Sequence, residues 1–295
     1  MQGLKYAFRF NTASFSLAFS NPGLIKSWLL LGLGHLALTF AWIVLLSLLV
    51  GLLGLSSISI FLMGMFFIFL IFDLMLWGNT SMIGTSRHLA VIYSKAPSQT
   101  ADWKSILFDG WGSAALWFLA KPGLHLIDAV QSVFPGIAGT QREWLIADYL
   151  MLPVISVENL SLMQAVGRVS EIVKANLVRV RASIINVRLL AGMVQWILTA
   201  SGIGVGWLVF SRIVDPVTSG RGRTVLGLAA AVLLACVLTS LGILISSFTR
   251  ACYHTALYQW VRNVENARHS GDREQALPPA ILVQVLERIS NGKKE

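Results

Sequence analysis

Charge is what this sequence lacks most. Only 13% of its 295 residues are Asp, Glu, Lys or Arg, about half the share of an ordinary soluble domain. With 55% apolar residues and a mean hydropathy of +0.69, that shortage excludes a water-soluble globule. Acidic residues are the scarcer sign, 14 against 23 basic ones, for a net charge of +9. Cysteine is nearly absent: Cys236 and Cys252 lie in or beside one predicted helix, which excludes a disulfide framework. Cys236 reads as a small buried apolar residue and Cys252 as a reduced thiol at the inner surface. Catalytic signatures are missing too. The chain contains no His-Glu-x-x-His, no Gly-x-Ser-x-Gly, no Gly-x-x-x-x-Gly-Lys-Ser/Thr and no cysteine pair at metal-ligand spacing, so neither cofactor nor metal is expected. Basic residues are nowhere interleaved with aromatics in a soluble run, which removes nucleic acid as a partner.

Long apolar runs are what the sequence has instead, several exceeding the ~18 residues that mark a transmembrane candidate. Spans are expected at about 27–52 and 56–77, where the short LGLSS connection demands a tight antiparallel hairpin, and again at about 183–213 and 224–249. Residues 105–133, interrupted by Asp109, Lys121, His125 and Asp128, and the returning run WLIADYLMLPVISV read as two more spans. The first of these bends at Lys121-Pro122; the alternative is a re-entrant pair over 105–157. The expected fold is all-α: an integral membrane helical bundle of about six transmembrane helices with cytoplasmic amphipathic helices. Residues 1–295 form one membrane domain, with 1–26 as an interfacial N-terminal segment and 252–295 as a cytoplasmic tail broken at Pro278-Pro279. In the N-terminal segment Tyr6, Phe8, Phe10, Phe15, Leu17 and Phe19, with Lys5, Arg9 and Lys26, suit a helix lying on headgroups. The Asn21-Pro22-Gly23 turn then redirects the chain into the first span.

Charge asymmetry orients this arrangement. With the N-terminus inside, that face collects Lys5, Arg9, Lys26, Arg87, Lys95, Lys104, Arg168, Lys174, Arg179, Arg181, Arg188 and the basic residues from Arg250 onward. The outer face holds only Arg142, Arg212, Arg221 and Arg223. The positive-inside rule therefore places both termini in the cytoplasm of a bacterial cell, with anionic headgroups of the inner membrane as lipid partners. Removing the interrupted pair leaves both ends on the same side.

The stretch PVISVENLSLMQAVGRVSEIVK marks a change of environment. Pro153 is expected to end the returning helix, and Asn159 or Ser161 to N-cap a new one over about 160–181. Glu158 is placed where a negative charge complements the exposed N–H groups. Leu160, Met163, Val166, Val169, Ile172 and Val173 form a stripe opposite Gln164, Arg168, Glu171 and Lys174, so this helix should lie along the cytoplasmic surface.

Pro153, Glu158, Ala165 and Arg168, together with Leu257-Tyr258 in FTRACYHTALYQWVRN, carry a resemblance. They resemble a recurring element of several little-characterised bacterial multi-pass membrane families, including the membrane domain of some glycerophosphodiester phosphodiesterases. Those families place a serine directly after the arginine; Val169 stands there in this chain. The resemblance implies a six-span bundle and assigns no activity.

Charged groups inside a bilayer are the default functional candidates, because each costs several kcal/mol unless paired or hydrated. Lys121, His125 and Asp128 fall on one face of an unbroken helix and could line a polar cavity with Asp148 as partner; the competing reading is a solvated face on a kinked helix. Asp73, near the inner end of the second span, reads as an interfacial carboxylate reaching water. His35 could face it across the hairpin if their depths match, but an ordinary hydrogen bond to a neighbouring helix is the preferred reading. Gly202, Gly204 and Gly206 mark close helix packing rather than a nucleotide loop. The function expected on these grounds is non-enzymatic: a subunit, scaffold or envelope-assembly component that holds a protein partner, or a second copy of itself, through its cytoplasmic helices. The alternative is a carrier or channel for a small solute or lipid, using the polar face around Lys121, His125 and Asp128.

Overall fold

The computed structural model of the chain describes residues 2–54, 56–94, 112, 115–117, 119–120, 141–183, 187–214, 220–271, 277–279 and 281–283. Among them every regular element is a helix. In chain order these are α1 (Gln2–Phe19), α2 (Pro22–Leu53), α3 (Ser57–Ser94), α4 (Gln141–Glu158), α5 (Leu162–Ser183), α6 (Val187–Ile213) and α7 (Arg221–Ser270). Four of them, α2, α3, α6 and α7, are long and apolar enough to cross a membrane; a fifth crossing is formed only if Tyr149–Glu158 and Leu162–Ala175, bent by 120°, count as one. The chain folds into two compact units: unit 1 comprises Met1–Trp28, Asn79–Leu190 and Ser247–Glu295, and unit 2 comprises Leu29–Gly78 and Ala191–Ser246.

Unit 2 is built from parts of the four long helices. Gly54, at φ 71°, ends α2 in the left-handed region that only glycine enters freely. The α2–α3 hairpin then keeps a constant antiparallel register: Trp42 packs on Phe66 and Phe69, while His35 lies opposite Asp73. Ile43, Phe66, Leu70 and Cys236 make its small core, which Trp42, Leu46, Leu74 and Val232 flank. Helices α6 and α7 approach backbone to backbone. A Cβ on Gly206 would meet the carbonyl oxygen of Ala231 at 2.6 Å, one on Gly202 the Cα of Ala235 at 3.1 Å, and one on Gly242 the Cα of Gln195 at 3.1 Å. Gly202 and Gly206 thus form the small-residue seam expected of packed membrane helices. Gly204 has nothing within 4 Å and is not part of it. Outward, unit 2 leaves large apolar side chains bare: Leu33, Phe40, Leu52, Phe61, Ile68, Trp196 and Trp207 are each more than half exposed.

Unit 1 has the opposite character. Its core gathers Phe10, Ala18, Leu24, Leu89, Val187, Phe248, Cys252, Tyr253, Ala256 and Leu282. Residues Leu150 to Ser156 of α4 are all buried, so this stretch of the helix is enclosed on every side. That explains its apolar sequence differently from the expectation of a span: a short run of 10–14 apolar residues fits a core helix as well as a membrane. Pro153 does not end α4 but sits inside it. The missing N–H and the ring clash cost about 3 kcal/mol, which the burial of Leu150, Met151, Leu152, Val154 and Ile155 offsets at roughly 2 kcal/mol per side chain. The helix ends instead at Asn159, whose φ of 52° turns the chain left-handed.

Two helices run further than their apolar lengths require. α3 continues past the expected end of its span near residue 77 to Ser94, and α7 through the start of the expected tail to Ser270. Both are carried by buried side chains at helical spacing, Met82, Ile83 and Leu89 in one and Phe248, Cys252, Leu257, Val261 and Val264 in the other. With 50 residues, α7 is about 75 Å long, far beyond the ~30 Å of a hydrocarbon core. Gly271, at φ 74°, closes it by donating its N–H to the Ala267 carbonyl at 3.0 Å.

Candidate functional site

Two clusters bring together residues singled out in the sequence, one in each unit. In unit 2, His35 Nδ1 lies 3.3 Å from Asp73 Oδ2, with the two side chains 1% and 18% exposed. That oxygen makes no hydrogen bond of good geometry among the described residues, so the contact is an electrostatic pairing rather than an aligned bond. The imidazole stacks on Trp77 at 4.6 Å and 21°, and its Nε2 lies 3.4 Å from Thr39 Oγ1 one turn along the same helix. His35 is therefore not a lone histidine bonded to whatever helix is near, and Asp73 is not simply a carboxylate in water. The antiparallel register of the hairpin matches their depths. Leu244 of α7 closes on Gly32 with 2.7 Å to a built Cβ. One turn from Leu244, Ser240 is fully buried and its hydroxyl has no hydrogen-bond partner among the described residues.

In unit 1 the centre is Arg168. Its Nη2 reaches Glu265 Oε2 at 2.6 Å, its Nη1 the other oxygen of Glu265 at 3.5 Å, and its Nε the Oε1 of Glu158 at 3.3 Å. Glu171, with its side chain 75% exposed, adds a loose contact at 3.8 Å. Tyr258 donates its O–H to the same Glu158 oxygen at 2.5 Å. Burial opposes the Arg168 charge, but Glu265 and then Glu158 outweigh it, and its pKa stays above the ordinary arginine value. Burial, followed by the neighbouring Glu158 carboxylate, pushes the Tyr258 phenol well above its usual range. Glu158 is thus engaged with Arg168 and Tyr258.

The corner between α4 and α5 is fixed from two further sides. Ser161 caps α5: its backbone N–H and hydroxyl both donate to Gln164 Oε1, at 3.1 and 2.8 Å, and its carbonyl accepts from Ala165 N–H at 2.9 Å. The bond from the Ser161 N–H to the Gln164 side chain is one half of a Ser-x-x-Gln capping box. Arg87 of α3 donates to the Ser156 carbonyl at 3.1 Å and to Asn159 Oδ1 at 3.2 Å. Ala165, Val169, Ile172 and Val173 form the buried side of α5, while Met163, placed on the apolar stripe by its spacing, is 83% exposed. Lys174 is exposed as well.

Pro153, Glu158, Ala165 and Arg168 come from one of the two segments that carry the family resemblance, Leu257 and Tyr258 from the other; Glu158, Arg168 and Tyr258 meet here. Glu265 and Arg87 were not anticipated. Glu265 is seven residues beyond Tyr258, two turns along the same face of α7, and that spacing was the available signal. Arg87 had none, because the backbone carbonyl and the turn residue that it binds lie far along the chain. Further expectations need correction. Cys252 is fully buried, hydrogen-bonded to Ser14, with burial raising its thiol to about 12. Phe10 is not on a lipid-facing side but wholly buried against Tyr253, ring centroids 5.4 Å apart. Pro153, as above, lies within its helix. Lys121, His125 and Asp128 lie outside the described residues, and Asp148 is placed only by its backbone on α4. Compared with known proteins, the chain matches no family model, no curated protein and no solved structure.

Proposed function

We propose that this chain is a non-enzymatic multi-pass protein of a bacterial inner membrane, a scaffold or subunit whose four long helices anchor a second folded unit that holds a protein partner. The observation that carries the reading is the contrast between the two units. Side chains as large as Trp196, Trp207 and Ile68 are bare in unit 2, as lipid-facing residues would be, whereas unit 1 closes a dense core around α4. The charges of its best-defined cluster are spent on one another, which suits a rigid body rather than a reaction centre. Four crossings leave both termini on one side, and the excess of Lys and Arg makes that side the cytoplasm. Six crossings, adding 105–133 and α4, would keep the same orientation.

The exposed side of α5, with Met163, Gln164, Ser170, Glu171 and Lys174, is the surface we assign to a protein partner or a second copy. Co-purification from native membranes in mild detergent tests this. Lys174→Glu should lose the partner while the chain remains monodisperse. Recovery of the wild-type chain alone and monomeric would overturn the assignment. Arg168 is unsuitable for such a probe because its reversal would break the cluster inside unit 1.

A second reading, a proton-linked carrier, is favoured by one observation, the His35–Asp73 pairing within an otherwise apolar hairpin. Liposomes containing a trapped pH-sensitive dye and the purified chain would show proton entry that Asp73→Asn abolishes. Equal entry with and without that substitution would dismiss it.

A further inference from the structure

The corner between α1 and α2 combines features that neither the core of unit 1 nor its charge cluster requires. Phe15, Ala18 and Phe19 of α1, Ile25 of α2 and Phe248 of α7 line an apolar groove of about 100 Å³. Phe19 stands 75% exposed at its edge, and Phe8, two turns before Phe15 on the same face of α1, is 64% exposed. Burying α1 against the core accounts for Phe10, Ser14 and Ala18 but leaves this second face bare. Single exposed apolar residues need no explanation; a row of phenylalanines around an open groove does.

Every charged residue of α1 and of the first turns of α2 is basic. Lys26, exposed, directly follows the groove residue Ile25, and Arg9, also exposed, directly follows Phe8. Asn21 caps α2: its carbonyl accepts from Leu24 N–H at 3.0 Å, and its side-chain amide donates back to the Leu17 carbonyl at 2.7 Å. Pro22 is the first helical residue, where its lost N–H costs nothing. The first turn of the 32-residue helix α2 holds no acidic residue, so no carboxylate of that turn offsets the positive end of its dipole. In sequence this corner stands just before the Gly32–Leu49 stretch that qualifies as a span, the level at which phosphate headgroups meet acyl chains.

We propose that the α1–α2 corner is a binding site for one anionic phospholipid, with an acyl chain in the Phe15–Phe19–Ile25–Phe248 groove and the phosphate paired with Lys26. Arg9 meets a neighbouring headgroup. The site rests on reading α2 as a membrane span. Apolar walls select a chain-bearing ligand over free phosphate, and the cationic rim selects an acidic headgroup over a zwitterionic one. Binding there would fix the angle at which the chain enters the first span.

Native mass spectrometry of the full chain in neutral detergent, titrated with phosphatidylglycerol or with phosphatidylcholine of the same acyl composition, tests the site. Phosphatidylglycerol is expected to bind at least fivefold more tightly. Lys26→Gln should weaken it about fivefold, the worth of one basic side chain at an anionic surface, and leave phosphatidylcholine unchanged, while Lys26→Arg preserves the preference. Phe19→Ser should weaken both lipids. Equal binding of the two lipids by the wild type, indifference to Lys26→Gln, or displacement of phosphatidylglycerol by millimolar inorganic phosphate would each overturn the proposal. Recovery of the chain in the aqueous fraction without detergent would instead overturn the membrane reading beneath it. Lys26 and Phe19 are exposed, so neither substitution should disturb folding.

Discussion

Replacing Arg168 by glutamine removes the one cation that Glu158 and Glu265 share and leaves a shorter, neutral polar side chain. Two contacts dominate, the two-pronged one to Glu265 at 2.6 and 3.5 Å and the single one to Glu158 at 3.3 Å. Glu171, 75% exposed and 3.8 Å away, contributes little. The side chains of Arg168, Glu158 and Glu265 are 27%, 22% and 20% exposed, so water screens the pairs in part. Exposed pairs are worth about 0–1 kcal/mol and breaking a fully buried one costs about 3–5; a value of about 1.5 kcal/mol for each of the two strong pairs lies between. The substitution also leaves Glu158 and Glu265 facing the vacated position with like charges. A loss of about 3 kcal/mol follows, or about 6–12 °C in Tm for a unit of this size.

Intrinsic tryptophan fluorescence during thermal unfolding in detergent reads that shift directly. Combining Arg168→Gln with Glu265→Gln should recover about 1.5 kcal/mol relative to the sum of the single effects, because the second substitution removes an interaction the first has already lost. Lys174→Gln, on the exposed side of the same helix, is the control and should lie within about 0.5 kcal/mol of wild type. If Arg168→Gln melts with the Lys174 variant, or the two cluster substitutions simply add, the cluster does not hold α4, α5 and α7 together.

Gly206→Ala places a methyl group 2.6 Å from the Ala231 carbonyl oxygen and should cost about 1–3 kcal/mol, whereas Gly204→Ala, facing open space, should be nearly neutral in the same melt; equal losses would refute the α6–α7 seam. His35→Leu leaves a carboxylate in an apolar hairpin and should destabilise by at least about 2 kcal/mol, while His35→Leu combined with Asp73→Leu should regain most of that loss. A single substitution as harmless as the pair would show that the two do not interact. The raised phenol of Tyr258 implies stability that is fully present below the unfolded-state value of about 10 and is lost as pH climbs toward the higher folded value. Melting temperatures between pH 8 and 11 should therefore fall more steeply for wild type than for Tyr258→Phe, and parallel curves would contradict this.

The hairpin and the glycine seam were legible because local constraints decide them. Two apolar runs separated by LGLSS can only fold back on each other, and that fixes which residues share a depth; the expectation for His35 failed only in preferring an unspecific partner over Asp73. Gly202 and Gly206 sit four apart in an apolar helix, the spacing at which two backbones meet. The extents of α3 and α7 were not legible. Thr80, Ser81, Thr85, Ser86 and Arg87 look like the start of a loop, yet the first four are at most 4% exposed. Polar side chains of this kind follow a helix into a protein core when partners lie across it, as Thr249 finds Asn11 at 2.6 Å, and single-chain patterning carries no record of such partners. Glu265 had only its seven-residue spacing from Tyr258 to mark it.

Hydropathy reports how strongly a segment avoids water and is silent on what replaces water. Of the apolar stretch of α2, 22% is buried by protein, and of that of α6 only 11%, whereas Leu150–Ser156 of α4 is covered throughout. The two outcomes differ in what they require at the ends. A lipid-covered helix needs about 20 apolar residues and interfacial anchors. A protein-covered helix can be shorter, can keep a proline such as Pro153, and must place its terminal charges against specific partners. Glu158 meets that last requirement through Arg168 and Tyr258, and Asn159 through Arg87. The polar residues that close an apolar run, rather than the run itself, are therefore the part of this sequence that distinguishes an enclosed helix from a spanning one.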